Sequence, residues 1–113
     1  MPEAKLVVIY PPPTDVEAFE KFYLEEQVPI AVAKLAGKTK IVAAKITSSP
    51  QGTPPFHRMV ETHFPSKAAL EACAATLGAQ ETLANAAKIS TGGAPLFLIA
   101  EEKTFTFSYA AAT

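Results

Sequence analysis

The residues best suited to chemistry fall in two short stretches. In Tyr23-Leu24-Glu25-Glu26-Gln27 a phenol and a carboxamide stand four apart, which puts them on one face of a helix. In Phe56 to Phe64 one parity carries His57, Met59, Glu61 and His63, the side chains of a single strand face. Gln27 donates and accepts hydrogen bonds but takes up no proton near neutral pH, so it can orient a substrate and cannot act as a base. His57, Glu61 and His63 can move protons. Tyr10, at the end of the first strand, completes the set of pocket candidates: Tyr10, Tyr23, Gln27, His57, Glu61 and His63. At a rise of roughly 3.3 Å per residue His57 and His63 lie about 20 Å apart, too far to share one ion. Nothing obvious adds a third ligand to Glu61 and His63, so no metal is expected. Two readings of this strand face stay open, a pocket lining and a solvated face with structural partners. Tyr23 is likewise either a core residue with its hydroxyl at the rim or a ligand contact.

The elements that must position these groups are marked by their punctuation. Leu6–Tyr10 is apolar and largely β-branched and is ended by Pro11-Pro12-Pro13, which cannot donate to a sheet ladder. Thr14 and Glu17 form a capping-box pattern for a first helix. Val16, Phe19, Phe22 and Tyr23 make its buried stripe, Glu20, Lys21, Glu25 and Glu26 face water, and Pro29 is expected to stop it near Gln27. A short helical piece over 30–36 ends at Gly37, and a strand over 39–48 leads into a turn-rich loop. In the third strand, 56–64, Phe56, Arg58, Val60, Thr62 and Phe64 form the parity expected to meet the helices. Pro65-Ser66 starts a helix with Leu70, Cys73, Ala74 and Leu77 on its stripe and Gly78 closing it, followed by an alanine-rich helix over 80–89. Strand four runs over 94–100. Strict alternation of Thr104, Thr106 and Ser108 with Phe105, Phe107 and Tyr109 predicts a terminal strand.

The resulting order, βαββαβ, predicts one α+β domain over residues 1–113 with a ferredoxin-like antiparallel sheet and its helices on one face. Strands one and four are apolar at both parities, so the other sheet face also needs a cover. A second copy of the sheet supplies one, giving a homodimer with an inner space that would hold a small organic molecule. With 49% hydrophobic residues the chain has enough apolar side chains for a core, and a net charge of −1 with no basic stripe excludes a nucleic-acid binder. Its apolar runs are too short for a membrane span or a signal-peptide core. The single cysteine, Cys73, suits a cytoplasmic location and reads as inert core. There is no P-loop, CxxC or dinucleotide fingerprint, Gly92-Gly93 is a turn, and no cofactor is expected.

LVVIYPPPTDVEAFEKFYLEEQVPIA, the FPSKAALEA helix start and the later TGG turn together resemble the EthD-like family of the dimeric α/β-barrel superfamily. The family's telling motif is Tyr-x-x-x-His-x-Pro; here Tyr23 and Pro29 match and Gln27 stands where the histidine is usual. The resemblance covers most of the chain and implies the dimeric barrel. It also implies a catabolic or oxygenase-associated role, since the family is named for clusters that degrade ethyl tert-butyl ether. Relatives in the superfamily include cofactor-independent monooxygenases and isomerases, which keeps such an enzyme, or a lyase, as the alternative to a binding protein. A non-catalytic dimeric scaffold is the third reading. With Gln27 there, the first helix lacks the titratable group that the resemblance implies at that position.

Overall fold

Antiparallel pairing in the order β2-β3-β1-β4 builds a four-stranded ferredoxin-like sheet from β1 (Glu3–Tyr10), β2 (Lys40–Lys45), β3 (Arg58–Phe64) and β4 (Leu96–Glu102). A computed structural model describes residues 2–108 of the chain. Helices α1 (Val16–Phe22), α2 (Val28–Lys34), α3 (Lys67–Ala74) and α4 (Leu77–Ile89) supply the second layer. Ala4, Val8 and Tyr10 on one parity of β1 are buried under them, in two adjoining clusters around Phe64 and Leu70 and around Phe19 and Tyr23. Lys5, Val7 and Ile9 face the other way.

Three local expectations are corrected by the geometry. Asp15 caps α1: its backbone is extended and its carboxylate accepts from the Ala18 N–H at 3.1 Å, while the Thr14 N–H donates to Thr91 instead. Asp satisfies an orphan helix donor as well as Thr does, so the cap falls one residue later. Pro29 does not end the helix. Tyr23–Gln27 forms a π-helical turn in which the Val28 N–H reaches Tyr23 O, and the chain runs on into α2. In a regular helix the Pro29 ring would meet the Glu25 carbonyl, and the widened turn falls where that conflict lies. Gly78 is not a C-cap. Thr76 accepts from the Ala79 N–H and donates to Cys73 O, which closes α3 and opens α4 at once, leaving Leu77 69% exposed, outside the core.

The terminal strand is corrected too. Residues 103–108 pair with no strand among the described residues, and Phe105 and Phe107 are exposed. Alternation says which side chains would share a buried face but does not specify a pairing partner, and the open edges of β2 and β4 are left unpaired by this segment. Tyr109 lies outside the described residues.

Gly92 fixes the chain between α4 and β4 against the proline run. A Cβ there would stand 1.7 Å from the Pro12 carbonyl oxygen, a backbone atom with no rotamer to yield. Gly92→Ala should lower stability by about 2 kcal/mol and the melting temperature by roughly 10 °C, read by circular dichroism. An unchanged melting curve would mean that this contact is not made.

Candidate functional site

The sheet separates the candidates. Tyr10, Tyr23, Gln27 and His57 lie on its helix side, Glu61 and His63 on the opposite side. Tyr23 and Gln27 are both buried, 3% and 6% exposed, because the π turn aims them under α4. The Gln27 amide is fixed at both ends: Nε2 donates to the Thr82 carbonyl at 3.1 Å, and Oε1 accepts from Asn85 Nδ2 at 2.9 Å. One N–H and one lone pair of that amide remain uncommitted by these bonds. Tyr10 packs edge-on to both Phe19 and Tyr23.

His57 does not share a face with Glu61. The chain bends at His57, so strand alternation begins only at Arg58, and both side chains turn to α1. Glu20 accepts from Arg58 Nη2 at 2.9 and 3.0 Å and lies 3.3 Å from His57 Nε2. The expectation that Glu20 faces water is thereby corrected. Burial pushes its carboxyl up, yet Arg58, with His57, outweighs that and holds it below the ordinary carboxylate range. The Arg58 guanidinium also covers the Tyr23 ring, 4.6 Å from its centroid. An arginine on the buried parity requires a carboxylate partner, a signal that points to Glu20 in retrospect.

On the free side, register brings four charged or titratable groups together. Lys5 stands opposite His63, and its ammonium bridges Glu61 at 3.2 Å and Glu102 at 3.0 Å. His63 Nε2 lies 3.2 Å from Glu61, and Nδ1 is buried without a hydrogen-bond partner among the described residues. Glu102 is the third ligand that sequence spacing did not reveal, since strand pairing alone brings it in. One atom each of Glu61, His63 and Glu102 lie within 4.8 Å of one another. Lys5 already supplies the cationic charge between the two carboxylates, which leaves a metal little electrostatic gain.

Tyr10, Tyr23, Gln27, Thr62 and Thr82, with aliphatic walls from Val8, Val28 and Val60, line a cavity of about 30 Å³ between sheet and helices. A larger hollow of about 250 Å³ lies between α1 and the end of α4 and is reached by none of the six candidates. Burial raises the Tyr10 hydroxyl far above the ordinary phenol value, with Tyr23 adding to the shift and Arg58 opposing it; burial raises Tyr23 as well. Both remain hydrogen-bond donors at neutral pH, and no lining group is a base there. Burial also raises the Cys73 thiol, consistent with a core residue.

No protein-family model matches the chain, and no curated protein matches it in sequence. Solved structures do. An ethyl tert-butyl ether D (EthD) family protein from Bacillus halodurans C-125 is 26% identical over 89% of this chain and 99% of that one, with a TM-score of 0.81. The fold is EthD-like. An EthD-like protein from Ralstonia eutropha JMP134 is 24% identical, covering 89% of this chain and 92% of its own, with a TM-score of 0.65. A dimeric ferredoxin-like protein of unknown function from Jannaschia sp. CCS1 shares the fold at 16% identity, 88% and 99% coverage and a TM-score of 0.64. Among the described residues, no helix is long and apolar enough to cross a membrane.

A phenol whose folded pKa lies above its unfolded value of about 10 contributes stability that is full below that pH and is lost as pH rises further. Urea midpoints should therefore fall between pH 9 and pH 11, and less steeply in Tyr10→Phe/Tyr23→Phe. Ionisation of both tyrosines in the folded protein near pH 10, followed at 295 nm, would contradict this.

Proposed function

We propose that this EthD-like chain is a cytoplasmic homodimer that holds a small, partly apolar organic molecule, in a catabolic or oxygenase-associated role. One observation carries the reading. Tyr10, Tyr23, Gln27 and Thr62 converge on a space of about 30 Å³ that is too small for an organic molecule alone but adjoins an apolar space of about 170 Å³, and polar groups at one end of an apolar space are the make-up of a small-molecule pocket. Its place differs from the sequence expectation: the polar pair lies between sheet and helices inside one protomer, not between two sheets. The absence of a neutral-pH base among its lining residues favours binding over proton transfer.

Dimerisation is supported by the uncovered sheet face. Val42, Leu96 and Leu98 are each more than 40% exposed there, beside Val7, Ile9 and Met59. A continuous apolar sheet face of this kind calls for a partner, and the Jannaschia neighbour of the same fold is dimeric.

The enzymatic alternative, a cofactor-independent monooxygenase or isomerase, is favoured by one arrangement. His63 is held by Glu61 on the face a second copy would cover, as a general base is oriented by a carboxylate. Turnover of phenols or lactones that disappears in His63→Gln would support that reading against simple binding.

Hydrophobic phenols and lactones screened by thermal shift should yield stabilising ligands whose affinity drops about tenfold or more in Gln27→Ala and severalfold in Tyr23→Phe, about one hydrogen bond each. Unchanged affinity in both variants would remove this cavity from the site. Sedimentation should find dimers at micromolar concentration and monomers in Leu98→Asp. A monodisperse wild-type monomer would end the dimer proposal.

A further inference from the structure

Beside the polar cavity lies a second one of about 170 Å³, between the sheet and helices α3 and α4. Its walls include Phe64, Leu70, Cys73, Ala79, Phe97 and Ile99, and it contains no charged side chain. Leu6, Leu35 and Leu83 line both spaces. The two are neighbours across a partition of leucine side chains, and Leu6 and Leu83 are only partly buried. At the outer side Phe97 and Ile99, 40% and 54% exposed on the edge strand β4, give the larger space a mouth.

We infer that the two cavities form one bipartite site for a neutral molecule with a single hydrogen-bonding head and a hydrocarbon body of about six carbons. The inference rests on the reading that a ligand sits between sheet and helices, and adds its chemical class. Size follows from the chamber: an apolar cavity of about 150 Å³ accommodates benzene, so 170 Å³ fits one ring or a chain of similar bulk. Neutrality follows from the walls. Neither space is lined by Asp, Glu, Lys, Arg or His, and a carboxylate or ammonium buried there would have no charged partner. The head group follows from Gln27, whose uncommitted N–H and lone pair match a hydroxyl, which both donates and accepts. An alcohol or phenol fits this set; a carbonyl compound would use the N–H alone.

The test is calorimetric titration of the full-length protein with straight-chain alcohols from butanol to decanol, and with the carboxylate and amine of each length at pH 7. Affinity should rise about fourfold per methylene until the chamber fills near six carbons, then level. The ionic analogues should bind at least tenfold more weakly, and hexanol should shift the Gln27 side-chain amide resonance. Ala74→Phe, placing a ring into the chamber from an exposed position, should weaken hexanol at least tenfold. Ile99→Ala, which widens the mouth, should move the plateau to longer chains. Alcohols that bind through Gln27 with no dependence on chain length, or in Ala74→Phe as in wild type, overturn the bipartite site and leave the polar pocket standing. Carboxylates binding as tightly as alcohols overturn the neutral class. No binding by any member, with no shift at Gln27, overturns the inference and the pocket reading together.

Discussion

A proline inside a helix must be accommodated by the turn before it, and much of this molecule depends on how that is done at Pro29. The π turn from Tyr23 to Gln27 inserts one extra residue where a regular turn would press the proline ring onto a carbonyl. That widening carries the helix through without a break and turns Tyr23 and Gln27 under α4. The Gln27 amide then joins the first helical run to α4 through the Thr82 carbonyl and Asn85. A buried amide left without those partners would destabilise the layer by about 1–3 kcal/mol, so the bonds that fix the helices also fix the polar end of the cavity.

The antiparallel sheet imposes the other constraint. With side chains alternating at period two, β1 sends Ala4, Leu6, Val8 and Tyr10 to the helices and Lys5, Val7 and Ile9 to the free face. Each face thus acquires its own chemistry. The helix side holds phenols and an amide among aliphatic side chains, with the Glu20–Arg58–His57 group at its margin. Ionic residues on the free side gather near one end of the sheet, leaving an apolar stretch of Val7, Ile9, Met59 and Leu98.

Most elements were legible in the chain because their signals are local. β-branched runs, a proline stop and Ser66 before a helix report on a few neighbouring residues, and the strands and helices lie where these place them. Where the reading failed, the deciding contact was remote or a compensation intervened. Nothing near Pro29 announces that a π turn will absorb it. Strand parity puts His57 on the face of Glu61, but the bend before Arg58 resets that parity. Glu102 reaches Glu61 and His63 only through the pairing of β1 with both neighbours, which no single segment encodes. The phenylalanines at 105 and 107 alternate as in a strand, while their spacing carries no information about which edge, if any, they would pair with.

The same distinction bears on Gln27. A histidine at that position, as is usual in the family that this chain resembles, could in its neutral form donate to one partner and accept from another, much as the glutamine does with Thr82 and Asn85. Both residues can therefore tie the helices together. They differ in that imidazole gains a proton in the physiological range and a carboxamide does not. In a cavity lined by raised phenols and aliphatic side chains, glutamine keeps the hydrogen-bonding geometry and removes the one charge that could develop there. Its consequence is selective: the polar end of the cavity stays neutral across the physiological range, and any proton transfer falls to residues outside it.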